Sequence, residues 1–390
     1  MVRTGGEFRA FRLTVHPCYS VVRAAVPGTG QRRAQDVPPL ELTVDVTPSA
    51  RIDVTDVRGR AAAVHGDVLD GYDRCLYFSF HTTAGYLPQS LAGRLTSRPQ
   101  GIGPYLELFR TLFPEGAGYC HDDLDRRTDL TTAQRPVEPT NGDSHLAFIA
   151  GGLHSCVSYV TRRRGPVCLI DLDGMYAGMP RRRLTRLVGY DREVEVARMR
   201  MEVPVSGHPI DAINLKEPRL GLYPQLSEFI ARHGVDKGRI RLELPVREQH
   251  VSLTVNEYET LLMRHDLADV LRNPLRFATE KARHVFNDPL AVPVKTIDYA
   301  KYDLVRTLNL VVDALGLRES RLEWLVARLM AVPAARFLRM KRSVSLLVSD
   351  SDHPGQGTIV EGTYQSPILV QWRRAARGSR VVDVTLTRFA

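Results

Sequence analysis

The end of the chain most constrains what it can fold into. The segments "KRSVSLLVSD", "YQSPILVQW" and "RVVDVTLTRF", separated by the glycine-rich turn "HPGQGTIVEG", are rich in β-branched residues and read as strands. They follow a long region in which apolar residues recur at three-to-four spacing, in "YPQLSEFIARHG", "TVNEYETLLMRHDLADVLRN", "DLVRTLNLVVDALG" and "SRLEWLVARLMAVPAARFLRM", which is the period of amphipathic helices. A lone strand leaves its backbone groups unpaired. The tail must therefore pair with a sheet.

Strand material also lies upstream. "RIDVTDVRGRAAAVHGDVLDGYDRCLYFSF" reads as strand, helix, turn and strand, with a Thr/Asp pair after "IDV" able to cap the helix. "GIGPYLELFRTLFP" spaces Tyr105, Leu106, Leu108, Phe109, Leu112 and Phe113 like the buried face of a helix stopped by Pro114. The polar stretch "EGAGYCHDDLDRRTDLTTAQRPVEPTNGD" reads as loop. "DSHLAFIAGG" follows as a short helix capped by Asn141 or Asp143 and stopped at Gly151 and Gly152, then "CVSYV" and "PVCLIDL" as strands.

The expected class is α+β in three parts. Residues 1–48 hold strand-like pieces around the basic loop "PGTGQRRAQDVPP", residues 49–204 form a mixed domain, and residues 205–390 form a helix-rich part whose strands return to a sheet. With 390 residues and 43% hydrophobic side chains, substantial cores can form.

Charge narrows the partners. Fifty-three Lys and Arg against forty-four Asp and Glu leave +9, which favours an anionic partner. The five cysteines, Cys18, Cys75, Cys120, Cys156 and Cys168, are odd in number and form no CxxC pair, so neither a disulfide framework nor a structural zinc site is expected. No apolar run approaches the roughly 20 residues that span a bilayer, and the first residues have no signal-peptide core. The expected location is the cytoplasm, away from membranes.

Three of the twelve histidines stand where an element begins, beside hydroxyls or carboxylates: His81 in "HTTAG", His121 in "HDD" and His145 in "SHL". A strand end followed by Thr82, Thr83 and Gly85 can present hydroxyls and backbone N–H groups to an anion, and the start of the His145 helix adds further donors. Imidazoles near Asp122 and Asp123 suit proton transfer or ligation of a divalent ion, and spacing alone does not choose between them. The runs Arg162–Arg164 and Arg181–Arg183 are second-rank candidates, because charge runs on loops are more often solvated. No P-loop, dinucleotide GxGxxG, GxSxG elbow or HExxH helix is present.

The order "IDVT…HTTAG…helix…HDD…NGDSHL…GG" resembles the YjbQ-type family, whose members are often labelled secondary thiamine-phosphate synthases, over residues 50–190. The resemblance implies a YjbQ-like β-sandwich with flanking helices and a pocket for an anion or metal. It also implies assembly as a trimer.

By the same resemblance His81, His121, His145 and Asp122 would be catalytic. Thr82, Thr83, Asp123 and Ser144 would bind substrate, and His81, His121 and His145 would hold a divalent ion such as zinc or magnesium.

Two family segments are missing from their usual places. A Ser-Leu-Thr-x-Asn-Glu type segment is replaced by "YLPQSL", and a Gly-Thr-Trp-Gln strand by "GPVCLIDLDG". Similar pieces stand later, as "VSLTVNEYETLLMRHDL" and "GTYQSPILVQW". The reading favoured is a tandem arrangement in which a diverged second copy completes the first half's pocket, adding Asn256, Glu257 and Gln365. The alternative is one domain with a helical insertion.

The function expected on this resemblance is a thiamine-phosphate synthase-like transfer on a phosphorylated small molecule with release of pyrophosphate. Metal-dependent phosphate ester hydrolysis and non-catalytic binding of an anion or nucleic acid are the alternatives. No nucleic-acid module is recognisable, so a small phosphorylated molecule is the expected partner.

Overall fold

A computed structural model describes residues 37–97, 99, 101–272, 277, 280–281 and 340–390. Most of the basic N-terminal part and the helical segments read at 303–316 and 320–339 lie outside the described residues.

The first half runs β1 (Leu40–Val46), β2 (Asp53–Asp56), α1 (Val57–His65), β3 (Arg74–Ser79), β4 (Ala84–Gly85), α2 (Gln89–Thr96), α3 (Gly103–Leu112) and α4 (Gly142–Ala150). It continues with β5 (Cys156–Val160), β6 (Cys168–Asp171), the small hairpin of β7 (Met175–Tyr176) and β8 (Met179–Pro180), and β9 (Arg183–Tyr190). The second half runs β10 (Glu193–Pro204), β11 (Asp211–Asn214), α5 (Leu222–His233), β12 (Gly238–Glu243) and β13 (Val251–Asn256). A π-helical turn, Leu262–Asp266, leads into α6 (Leu267–Arg272), and the chain ends with β14 (Ser343–Ser349), β15 (Thr358–Val360), β16 (Ser366–Gln371) and β17 (Ser379–Phe389). The class is α+β, as the sequence leads one to expect.

Strand order exposes an internal repeat. The first half builds sheets β1-β9-β3-β5 and β2-β6-β4, and the second builds β10-β17-β12-β14-β15 and β11-β16-β13. Replacing each strand by its counterpart reproduces both orders, with β15 added at one edge. Registers agree as well: Ala84 of β4 faces Asp171, and Val251 of β13 faces Gln371. Two residues further on, Tyr86 bridges to His154 and Leu253 bridges to Lys341.

These pairings move the expected boundaries. β1 pairs with β9, so residues 40–48 belong to the first half. β10 pairs with β17, so the second half begins near 193, ahead of the boundary expected at 204/205. Within "TVNEYETLL" the first three residues belong to β13, because "VSLTVN" pairs along its whole length with β16 and all six of its residues are buried. Helical structure starts only after Glu259.

The cap expected at α1 is also absent. The Asp56 carboxylate accepts the Val167 N–H at 3.1 Å and makes no hydrogen bond to the helix it precedes.

The halves share their interior. A core containing Tyr77, Leu91, Phe109, Phe148 and Leu187 also takes in Ala212, Leu262, Leu267, Ile368 and Val370 from the second half. Against the other face of β3 and β9, Leu76, Phe78 and Tyr190 pack on Leu347, Val360 and Phe389. β3 is therefore covered on both faces, which explains its almost unbroken apolar sequence. Its counterpart β12 alternates buried Ile240 and Leu242 with exposed Arg241 and Glu243, as a strand with one wet face should.

The interface is tight at Gly362, where a Cβ would collide with the Phe80 carbonyl oxygen. Since that oxygen is backbone, Gly362→Ala is expected to destabilise the chain by about 1–3 kcal/mol, read as a lower urea midpoint with unchanged slope. A wild-type midpoint would show that the halves separate freely there.

Among the described residues no helix is long and apolar enough to cross a membrane. Cys75, Cys120, Cys156 and Cys168 are free thiols.

Candidate functional site

β3 ends against the second half, and "HTT" occupies the bend between β3 and β4. The Gln365 amide fixes this bend by donating to the carbonyls of Ser79 (2.8 Å) and His81 (3.1 Å), while its oxygen accepts the Gly362 N–H. Asn256 fixes the next residue, donating to the Thr82 carbonyl at 2.8 Å. Both residues come from the late segments that resemble the missing family pieces.

Asn256 also determines a tautomer. With its NH₂ group committed to Thr82, its oxygen faces His145 Nδ1 at 2.8 Å, so His145 must carry its proton on Nδ1. His145 Nε2 is left as a lone pair 3.5 Å from Glu257 Oε2. Burial, followed by the neighbouring His121 and Arg127 charges, holds the His145 pKa well below its usual value, and burial raises that of Glu257. Burial thus works against charge on both groups, while the charges of His121 and Arg127 work to keep Glu257 ionised.

His121 is the opposite case. Its Nε2 faces Asn141 Oδ1 at 3.1 Å, and the Asn141 NH₂ is spent on Asp173 at 2.7 Å, so Nε2 donates. Its Nδ1 faces Glu259 Oε2 at 3.3 Å, and Glu259 already accepts the N–H groups of Leu261 and Leu262 at 2.7 Å. Nδ1 faces an acceptor too, so acceptors at both nitrogens favour the imidazolium, although the Arg127 guanidinium stands 3.5 Å from Nε2. Burial opposes the charge, yet the bond to Glu259 and the field of Glu257 prevail and raise its pKa. Glu259, held by the same contacts against the pull of burial, is correspondingly lowered. The two rings lie 5.0 Å apart.

Arg127 closes the network. Fully buried, it donates to Asp129 (2.5 Å), Glu138 (3.0 Å) and Glu257 (3.1 Å). The Asp266 carboxylate accepts the N–H groups of Cys120 (3.0 Å) and His121 (2.9 Å), tying the "HDD" loop to the second half.

In front of this network lies a cavity of about 420 Å³, lined among others by His81, Thr82, Thr83, Asn141, Arg181 and Glu257. His81 Nε2 accepts the Leu184 N–H at 2.9 Å, so the proton sits on Nδ1. Burial, with the charges of Arg183 and Arg181, lowers its pKa to about 3, and the ring is neutral. The hydroxyls and backbone N–H groups of Thr82 and Thr83 find no partner among the described residues. Arg181, Arg182 and Arg183 also line the cavity, each paired behind it with an aspartate: Asp173, Asp45 and Asp171. Burial and the Arg183 charge lower the Arg181 pKa, a sign of positive local potential.

The sequence-derived candidates thus divide. His81, Thr82, Thr83 and Glu257 line the cavity, with His145, His121 and Asn256 behind them. Asp122 faces elsewhere, accepting the first N–H of α4 from Gly142 at 2.9 Å. Burial pushes its pKa up to about 6. Asp123 is exposed beside Arg126, and the Ser144 hydroxyl donates to the Leu172 carbonyl at 2.7 Å, so neither lines the cavity. Gln365 acts on the bend from behind.

The expected metal set does not fit. His121 donates from both nitrogens, His81 spends its lone pair on a backbone N–H, and the free nitrogen of His145 faces Glu257. No group of three or more His, Cys, Asp or Glu side chains is placed to hold a metal ion among the described residues.

Arg127, Glu259 and Asp266 were invisible to sequence reasoning, since Glu257, His121 and Cys120 lie 130, 138 and 146 positions from them in sequence. The arginines at 181–183 carry a signal, their run of charge, but such runs on loops more often mark a solvated face.

No protein-family model matches the chain, and no curated protein matches it. Among solved structures it is similar to a YbjQ-like protein of unknown function from Sulfolobus solfataricus P2, at 15% identity and TM-score 0.27, over 50% of this chain and 99% of that one. A hypothetical protein from Aeropyrum pernix K1 is similar at 16% identity and TM-score 0.26, over 49% and 97% of the two chains. An uncharacterized conserved protein of the yjbq/upf0047 family from Clostridium acetobutylicum is similar at 13% identity and TM-score 0.25, over 48% and 98%. The neighbours so named are YbjQ-like and UPF0047 proteins, each matched over nearly its whole length by about half of this chain.

Proposed function

We propose that the cavity binds a phosphorylated small molecule and that Glu257 delivers a proton to the group that leaves it. One observation carries this reading: a single cavity wall presents unspent donors, namely His81 Nδ1–H and the hydroxyls and N–H groups of Thr82 and Thr83, together with a buried carboxyl group whose pKa burial raises. Donors already aimed at the position of developing charge stabilise a transition state without reorganising. Arg181 supplies the cationic partner for phosphate.

Transfer with release of pyrophosphate, the reaction implied by the resemblance, belongs to this class. The bond from carbon to the pyrophosphate oxygen breaks, the electron pair leaves on that oxygen and takes the Glu257 proton, and an acceptor nitrogen bonds to the carbon. His145 and Asn256 hold Glu257 and the "HTT" bend in place for this.

Inorganic pyrophosphate titrated into the full chain by calorimetry is expected to bind, with affinity roughly 10- to 100-fold weaker in Arg181→Ala. Equal affinity in that variant and in Thr82→Val/Thr83→Val would place the anion elsewhere and remove the reading.

A further inference from the structure

The repeat directs attention to a second concavity. Five and six positions beyond the paired residues Ala84 and Val251 stand Gln89 and Ser90 in the first half, and Asn256 and Glu257 in the second. The first-half counterpart of the Asn256–Glu257 wall is therefore the start of α2. There lies a groove of about 570 Å³, lined by Gln89, Ser90, Arg94, Tyr159, Arg163 and Arg164 with smaller residues between them.

Its chemistry has been changed from that of the cavity. Serine stands where Glu257 would be, and no carboxylate lines the groove among the described residues. The guanidinium groups of Arg94, Arg163 and Arg164 make no ion pair or hydrogen bond with any described residue. Neighbouring arginines differ: Arg162 pairs with Asp73 at 2.7 Å, and Arg181, Arg182 and Arg183 each hold an aspartate. Three like charges gathered without a counter-ion repel one another, and an anion between them relieves that repulsion.

The walls are held in position. The Gln89 amide brackets Val160, donating to its carbonyl and accepting its N–H, both at 3.0 Å. The Tyr159 hydroxyl donates to the Leu87 carbonyl at 2.7 Å. These clamps join the base of α2 to the end of β5, so the loop bearing Arg163 and Arg164 leaves a fixed point facing Arg94. A charge run on an unanchored loop would have no such frame.

We propose that this groove is a second anion site, for the phosphate or diphosphate group of a small ligand, held by Arg94, Arg163 and Arg164 with a hydroxyl donor from Ser90. Among the described residues, its lining comes from the first half alone. The site binds and does no proton chemistry, since no acid lines it.

Equilibrium dialysis of the full chain against inorganic pyrophosphate tests this. Wild type is expected to take up two equivalents; Arg163→Ala/Arg164→Ala should weaken one of them roughly 10- to 100-fold and Arg181→Ala should weaken the other. All three arginines of the groove are exposed, so circular dichroism should show the variants folded. One equivalent in wild type that survives Arg163→Ala/Arg164→Ala overturns the groove and leaves the cavity standing; one that survives Arg181→Ala does the reverse. A labelled single-stranded oligonucleotide that binds more tightly than pyrophosphate, and loses that binding in Arg163→Ala/Arg164→Ala, would replace the small ligand by a polyanion.

Discussion

Arg127→Ala is expected to cost the folded state about 3–5 kcal/mol, the loss seen when one partner of a buried ion pair is removed. The guanidinium is buried and serves Asp129, Glu138 and Glu257 together, with His121 Nε2 3.5 Å away. Without it Glu138 and Glu257 lose their guanidinium partner while remaining largely shielded from water. Arg127→Lys keeps the charge and loses the planar fork, so it should fall between. Urea unfolding measures all three proteins.

The pH dependence has a defined sign. Burial works to raise the Asp129 pKa, but the hydrogen bond and charge of Arg127 outweigh it and lower it. A carboxylate depressed in the folded state contributes stability above its unfolded pKa and loses it as pH falls through the folded one. The deficit of Arg127→Ala should therefore be full at pH 7 and shrink in acid. A deficit independent of pH between 7 and 3 would mean that Arg127 acts through packing alone.

Both folding halves left traces in the sequence, though unequally. β3 and the strands of the tail were legible because β-branched and aromatic runs bounded by turns encode them locally. β13 was absorbed into a helical reading because "VSLTVN" runs directly into "EYETLLMRHDL", whose Leu261, Leu262 and Leu267 set the period. What makes it a strand is β16, more than a hundred residues downstream. The identities of Asn256, Glu257 and Gln365 could be picked out by their likeness to displaced family segments, but their orientation depends on partners at 79–82 and 145. His81 shows the limit most sharply: its motif marks a site, yet the Leu184 N–H fixes its tautomer and removes it as a metal ligand.

The repeat gives the two halves complementary parts. The first half retains the "HTT" bend, His121 and His145; the second retains Asn256, Glu257 and the Gln365 turn. In the second half Arg380 of β17 donates to Gln371 and Glu248, much as Arg183 donates to Asp171 in the first. One half-and-half combination keeps a cavity, while the start of α2 has become a basic groove. On the proposals above, the two concavities would divide proton transfer from anion binding along a single chain.

Glu257→Gln should then reduce turnover of the cavity's substrate 100- to 1,000-fold, about 2.7–4 kcal/mol of barrier, the scale set by losing one preorganised donor. Gln preserves the volume and the contact with Arg127, so pyrophosphate affinity should stay within a few-fold of wild type and kcat should absorb the loss. The wild-type rate should be highest on the acid side and fall as pH rises through the Glu257 pKa, because the acid must hold its proton and burial keeps that pKa above the ordinary glutamate value. Glu257→Gln should lose this alkaline limb. Asn256→Ala should move it: without the Asn256 oxygen His145 is freed to present either nitrogen, the tautomer that leaves Nε2 facing Glu257 is no longer enforced, and the proton shared by the pair is redistributed. A Glu257→Gln enzyme that keeps the wild-type rate and the same alkaline limb would transfer the role of acid to another group lining the cavity.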